Sequence, residues 1–503
     1  DPQVFKMMND LRVETVFQFE TDVQRGILSN GVRDYYDLQT FNVLGHPGPL
    51  AFVPEYVERR DDTNKRWKKK EHPDVATMLE ETHGVICYQE QLADMWRRFA
   101  QFTAVEAEAA RKAVAKKWID KLKPIREKWI AGASKTLGKE WAEKLWDRMQ
   151  SFGRYAFNRA HACGYILIAY WCAWLKAHFP PEWWASVMSG CHSDKIPKYM
   201  NTARVEGVEF GPIDAENLSS SFSISENLEV TPGLTSVKGV GKLAAVKLTG
   251  KHKFTDIDMF VHKFGKSKTV MEPLIKLGAF KKCHNNIKAT WMWYQYKYCS
   301  GKDMTMLRQQ IKSMLLRGWT DDKIKQVKDD QIDNFKKLHP KRKVPLKLSN
   351  WSPKAQDTRE NVMALYQEDF GLDEILEFEQ QYLGYYWHSP LGLYEIDMSG
   401  RTIADAKASV GHRAEVVCIV EKLEEAKTKN NRPFGKIKVS DGLSNATITI
   451  WEDELEVLRP YLKKGFGMRA LVDYDQVRGN FTLAKGTIPR PLPFKKRYSH
   501  ENQ

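Results

Sequence analysis

Cysteine is scarce in this chain of 503 residues, and the 7 present (Cys87, Cys163, Cys172, Cys191, Cys283, Cys299 and Cys418) are scattered. No two form a CxxC pair, and no Cys/His array has zinc spacing. That argues against a structural metal and against a disulfide scaffold, and it implies reduced thiols in a cytosolic compartment. A secretory signal is lacking, and so is any uncharged apolar run of about 18 residues, which leaves no candidate membrane span. There is no initiating Met either: the sequence opens at Asp1 in mid-pattern and reads as a piece of something longer.

Positive charge is abundant. The 78 Lys and Arg outweigh the 64 Asp and Glu, for a formal net charge of +14. A basic globular chain of this size suits a polyanionic partner such as nucleic acid. Hydrophobic residues at 42% and aromatics at 12% are enough for several packed cores and exclude wholesale disorder.

The stretch from Ser151 to Pro181 is the most informative. It opens with Arg154, Tyr155, Phe157, Asn158, Arg159 and His161, runs on as nearly continuous apolar sequence, and stops at Pro180-Pro181, where a helix ends. Apolar on all faces, it predicts a buried helix with an anion-binding loop at its N-terminal end, where free N–H groups attract phosphate. Upstream, GVICYQEQ (84–91) predicts a short strand passing into a helix, and Val13–Phe19 alternates like a strand. Thr103 with Glu106 marks a helix start, and that helix ends in Arg111, Lys112, Lys116 and Lys117. Those cations form a face that fits a phosphate chain, or simply a dipole-favoured helix end.

Further on, Gly239-Val240-Gly241 lies between two short apolar-periodic segments, the pattern of a helix-hairpin-helix. Its turn exposes N–H groups to a DNA phosphate, and Lys238 and Lys242 add charge. From about Arg413 the period changes to two. Five strand-like runs, with a helical insert at 452–462 between the third and fourth, predict an OB-fold barrel. Its candidate single-strand contacts are Lys427, Lys429, Arg432, Phe434, Lys436 and Trp451. The fold class is thus multidomain and mainly α, with a helix-hairpin-helix module and a C-terminal all-β barrel.

Taken together these strings resemble the bacterial family C replicative DNA polymerases, of the DNA polymerase III alpha subunit type. VFQFE (16–20), GHPGPL (45–50), GVICYQEQ (84–91), EAARKAVAKK (108–117), FGRYAFNRAHACGY (152–165), WLKAHFPPEWWASVMS (174–189), GLTSVKGVG (233–241), LIKLGAF (274–280) and YLGYYWHSPL (382–391) follow the family's order. Arg154 stands where a small residue is usual, Ala160 where Ser is usual, and His46 where Arg is usual.

The resemblance implies the C-terminal portion of such an enzyme, without the PHP region and most of the palm. The implied division is end of palm at 1–60, fingers at 61–195, hairpin region at 196–285, helical clamp-binding or linker region at 286–395, and OB domain at 396–503. It implies that Arg111, Lys112, Lys116, Lys117, Arg154, Tyr155, Phe157, Asn158, Arg159 and His161 meet the incoming dNTP and template phosphates. It implies primer–template DNA and single-stranded template as partners, with template-directed 5′–3′ synthesis as the activity. The Mg²⁺ ions would be held mainly by aspartates of an upstream polymerase portion, so no residue of this chain is assigned as catalytic or as a metal ligand. A sliding clamp is a further implied partner, through Gln367, Asp369 and Phe370, and a 3′–5′ exonuclease is compatible with the family. The implied setting is the cytoplasm of a bacterial or phage-infected cell. A different class of reading stands beside this one: a non-catalytic DNA-binding or clamp-tethering factor derived from such a polymerase.

Overall fold

The structure is a computed structural model. It describes the whole chain apart from residues 47–48, 117, 153–156, 318–319, 351, 397–400, 409–412, 429, 442–444, 476–478 and 494–503. The sequence assignments to Lys117, Arg154, Tyr155 and Lys429 lie outside the described residues. The chain divides into two compact units, Asp1–Trp183 and Trp184–Gln503. Among the described residues no helix is long and apolar enough to cross a membrane.

The first unit is helical: α1 (Pro2–Asn9), α2 (Asp22–Leu28), α3 (Tyr35–Leu44), α4 (Val53–Asp61), α5 (Gln89–Ala100), α6 (Ala104–Ala115), α7 (Ile119–Leu137), α8 (Lys139–Phe152) and α9 (Arg159–His178). Its core joins Phe19, Phe41, Trp96, Met149 and Ile166, among others. Thr103 and Glu106 cap α6 reciprocally: the Glu106 carboxylate accepts the Thr103 N–H at 2.8 Å, and Thr103 Oγ1 accepts the Glu106 N–H at 3.3 Å. Helices α7 and α8 form a hairpin that turns at Gly138 (φ 80°) and is pinned by the Trp129 indole donating to the Ala142 carbonyl at 2.8 Å. Gly132 lets α7 close on α5, since a Cβ there would lie 2.7 Å from Ala100 Cα.

Two expectations fail here. Val13, Val16 and Phe19 are buried, but at a spacing of three along a run of turns rather than two along a strand. Thr15 and Gln18 take positive φ (64° and 70°), and Val16 and Phe19 donate to the carbonyls three residues back. Helix α9 is also not buried all round. Small residues (Ala162, Ala169, Ala173) and Ile166 turn inward, with α1 and α3 packed against the helix. Leu167, Ile168, Trp171, Trp174 and Leu175 face outward, Trp171 being 56% exposed.

In the second unit, α10 (Ile196–Val205) precedes the glycine hairpin, where α11 (Lys242–Leu248) starts at Gly241. The segment before the hairpin is a single 3-10 turn, Leu234–Ser236, so the first arm is shorter than a full helix. Helices α12 (Ile257–Phe264), α13 (Lys268–Lys276), α14 (Ile287–Tyr298) and α15 (Leu372–Tyr382) follow.

The β region contains β1 (Ala414–Lys427), β2 (Pro433–Ser440), β3 (Asn445–Trp451), β4 (Gly467–Asp475) and β5 (Asn480–Leu483), with α16 (Glu452–Leu458) between β3 and β4. The ladder runs β1–β2–β3, then β3–β5 in parallel, β5–β4 and β4–β1, so the five strands close a ring. Inward residues alternate along it (Val416, Cys418, Val420; Ile437, Val439; Ile448, Ile450) and fill an apolar centre. A short strand, Arg490–Pro491, adds to β4. The OB-type barrel with its inserted helix therefore stands as expected.

Candidate nucleotide and nucleic-acid surfaces

In the first unit two distant segments are stitched into one surface. Phe157 donates its N–H to the Cys87 carbonyl at 3.0 Å and accepts the Gln89 N–H at 2.9 Å, forming a parallel bridge between Tyr88 and Phe157. The strand read into GVICYQEQ is reduced to this single bridge, and α5 begins directly after it. Asn158 caps α9, its side-chain oxygen accepting the His161 N–H at 2.7 Å.

The N-terminal end of α9 differs from the expected open anion site. The Glu90 carboxylate already occupies it, accepting the Arg159 N–H at 3.1 and 3.0 Å and the Asn158 side-chain amide at 3.1 Å. The positive end of the helix is thus partly neutralised from within the chain. Arg159 reaches Glu81 and lies 5.5 Å from the centre of the Tyr88 ring. Burial would lower the pKa of its guanidinium, but Glu81 outweighs it and holds the group charged.

Arg111, at the end of α6, forms a two-pronged pair with Glu108, both bonds 2.8 Å, and Lys112 lies 3.3 Å from the same carboxylate. The Arg111 hydrogen bonds, then those from Lys112, pull Glu108 down to about 2. Glu108 first, and Glu90 more weakly, keep the Arg111 pKa above its ordinary value, so α6 and the Glu90 knot feel each other. Lys116 sits 5.0 Å over the exposed Trp118 ring. These cations share the C-terminal end of α6, and two of them are already held by an internal carboxylate.

Aromatic rings border the same knot. His46 stacks on Phe157 at 5.0 Å and 10°, Phe157 meets His161 at 5.4 Å, and His161 meets Tyr165 at 4.0 Å. Burial, with His161 nearby, lowers the His46 pKa and favours its neutral ring. Sequence reasoning named Phe157, Asn158, Arg159 and His161 but missed Glu90, Glu108 and Tyr165. Locally Glu90 is only a first-turn acid of its own helix, α5, and nothing in the sequence ties it to α9.

In the second unit, Gly239 has φ 93° and a Cβ there would lie 2.9 Å from the Thr269 carbonyl oxygen, so the hairpin requires glycine. Lys238 and Lys242 are exposed beside it, and the Lys238 N–H donates to the Tyr382 carbonyl. On the barrel, Phe434 lies opposite Trp451 in register, with the rings 5.9 Å apart and the Lys436 ammonium 6.0 Å from Phe434. Lys427 and Arg432 are exposed at the β1–β2 turn. One acid interrupts this basic face. Glu424 accepts from Lys422 at 2.9 Å and Lys438 at 2.8 Å, and the Lys438 and Lys422 bonds lower its carboxyl to about 2.

Gln367 is exposed, whereas Asp369 accepts the N–H groups of Lys288 and Phe370, both at 2.9 Å, and Phe370 packs on Phe378 at 4.9 Å. Among the described residues no group of three or more His, Cys, Asp or Glu side chains is placed to hold a metal ion.

The chain matches the family described as the bacterial DNA polymerase III alpha subunit finger domain over residues 1–136, and a helix-hairpin-helix motif over residues 207–289. It is 33% identical over 292 residues to a DNA polymerase III subunit alpha of Aquifex aeolicus, covering 56% of this chain and 25% of that protein. The protein of the same description in Bacillus subtilis is 24% identical over 482 residues, covering 92% of this chain and 39% of that protein. A Treponema pallidum protein, again a DNA polymerase III subunit alpha, is 34% identical over 49% of this chain and 21% of its own length. The chain thus spans well under half the length of these relatives. The fingers and hairpin matches, in the same order as the surfaces above, make the chain similar to bacterial DNA polymerase III alpha subunits over the matched residues.

Proposed function

We propose that this chain is the nucleotide- and DNA-gripping portion of a replicative DNA-directed DNA polymerase, acting in the cytoplasm in template-directed 5′–3′ synthesis. The observation that carries the reading is the junction at Glu90. It ties Phe157, Asn158 and the first turn of α9 to the start of α5, which packs against α6, so residues far apart in sequence come together in the first unit. On this reading Arg111, Lys112 and Lys116 exchange their internal partners for the triphosphate, and Phe157 and His161 border the base or sugar. Lys117, Arg154 and Tyr155 belong to the same proposed site by resemblance. The hairpin at Gly239–Lys242 takes duplex phosphates, and the barrel face of Lys427, Arg432, Phe434 and Trp451 takes single-stranded template.

The Mg²⁺ of the reaction and the acids that hold it belong, on this proposal, to a polymerase portion outside this chain. In the proposed clamp contact, Gln367 is the exposed member, while Asp369 and Phe370 also hold their loop to α14 and α15. Primer extension tests the proposal. The chain mixed with a polypeptide carrying the upstream portion, with dNTP and Mg²⁺, should extend a primer. If the mixture is inert while the chain binds DNA, a non-catalytic DNA-binding factor replaces the polymerase reading.

A further inference from the structure

The second unit contains a cavity of about 560 Å³ that the surfaces above do not use. It opens between the end of α10, the loop 208–212, the turn after α13 and the aromatic turn 387–389. Its lining includes Arg204, Phe210, Lys281, Trp387 and His388.

Arg204 is the unusual group. Its guanidinium donates to the Trp387 carbonyl and lies 4.9 Å from the centre of the Phe210 ring. Among the described residues it forms no ion pair, although it is half-buried. Burial lowers its pKa, and the more distant Glu379 and Glu209 only partly offset this. A cation in that condition gains from an anion that brings its own charge into the cavity.

The acids nearby are mostly engaged. Glu379 is buried and accepts the N–H groups of Trp387 at 2.7 Å and His388 at 3.0 Å, together with the His388 ring. Asp441 accepts the Ile403 N–H at 2.7 Å. Glu209 remains, exposed at the rim. Lys281 is exposed at the mouth, and among the described residues its ammonium has no bonded partner. Phe210 and Trp387 meet nearly at right angles (5.3 Å, 79°), and the Trp387 indole is fixed by donating to the Gly211 carbonyl at 3.1 Å. The result is a rigid aromatic corner beside an under-paired arginine.

We propose that this cavity binds a nucleotide through its phosphate, with Arg204 and Lys281 on the phosphate and the Phe210–Trp387 corner against the base or sugar. The phosphate can come from a free mononucleotide or from a strand, and the two sources share this chemistry. The cavity is lined by residues of the second unit alone, so its test does not depend on polymerase activity.

Calorimetric titration of the full chain with dTMP, thymidine, inorganic phosphate and a short oligo(dT) tests it. The probes are applied to the wild type, Arg204→Gln, Lys281→Gln and a barrel variant, Trp451→Ala. Binding of dTMP, with thymidine at least ~tenfold weaker and with Lys281→Gln and Arg204→Gln each weakening dTMP about tenfold or more, supports a free-nucleotide site. Oligo(dT) binding weakened by the same two changes in the Trp451→Ala background, with dTMP silent, supports a strand phosphate. Lys281 is exposed, so its substitution should leave the melting temperature unchanged and serves as the control for Arg204→Gln, which also breaks the bond to Trp387. Equal affinities of all probes for wild type and Lys281→Gln, or no binding of any probe, overturn the proposal. Duplex binding at the hairpin is a separate readout, and its loss would count against the functional reading and leave the cavity untouched.

Discussion

The Glu90 carboxylate accepts the backbone N–H of Arg159 with both oxygens, at 3.1 and 3.0 Å, across 69 residues of sequence. It makes the start of α9 depend on the start of α5. Replacing Glu90 with Ala removes a charged acceptor from two N–H donors and should cost about 1.5–3 kcal/mol of stability. Urea unfolding of the first unit measures this, and an unchanged midpoint would show that the knot is held by packing alone.

The α6 cations give a second expectation. In a reconstituted enzyme, Arg111→Ala and Lys112→Ala should raise the dNTP KM, each by about 1.5–3 kcal/mol if a charged hydrogen bond to the triphosphate is lost. Glu108→Gln should act in the opposite direction, because it releases both cations from their internal partner. Steady-state kinetics separate the two effects, and a Glu108→Gln enzyme with a KM at or above wild type would count against the exchange of partners.

On the barrel, Glu424 neutralises Lys422 and Lys438 beside the Phe434–Trp451 pair. Glu424→Gln should tighten oligo(dT) binding and steepen its salt dependence by roughly 0.7–1.4 in log–log slope, for one or two lysines released to phosphate. Filter binding at graded salt reads this directly. An unaltered slope would place the strand on another face.

Gly239 sets a test of the hairpin. Its φ of 93° and the nearby Thr269 carbonyl mean that Ala there is both strained and crowded. Gly239→Ala should destabilise the second unit by about 1–2 kcal/mol and weaken duplex binding. Duplex affinity equal to wild type across salt would remove the hairpin from the interface.

Acid sensitivity follows from two half-buried histidines of the first unit. Burial lowers the pKa of His46, with help from His161, and also that of His83, where Arg60 and Lys65 push the same way against Asp37 and Asp34. Folded-state values below the ordinary 6.5 mean that the unfolded chain binds more protons as pH falls through that region. Stability is therefore full above 6.5 and lost as pH drops through the folded values. Thermal unfolding at pH 7.5 and 5.5 should show a loss that shrinks in His83→Gln.

The barrel was legible because alternation along five runs fixes both the strands and their inward faces, and the insert at 452–458 interrupts them in the expected place. The capping pair Thr103–Glu106 was likewise local chemistry. Helix α9 was misread because a run apolar on every side has no period to say which side is inside. Packing chose the face with Ala162, Ala169 and Ala173, which allows close approach, and left Trp171 in solvent. Val13–Phe19 failed for a related reason: its apolar residues fall at spacings of both two and three, and packing buried Val13, Val16 and Phe19 while leaving Phe17 exposed. Glu90 was missed because its partners are made by tertiary contact, and no local pattern shows that an acid will fill a helix N-terminus 69 residues away.

The central claim is that the α6 cations and the segment 157–161 at the start of α9 form one nucleotide surface. Equilibrium binding of a fluorescent dNTP to the chain with primer–template DNA tests it most directly, comparing wild type with the double variant Arg111→Ala, Lys112→Ala and with His161→Ala. The account predicts saturable dNTP binding in the wild type that falls at least ~tenfold in both variants while DNA affinity stays within about twofold. Nucleotide binding of equal strength in wild type and both variants would contradict it.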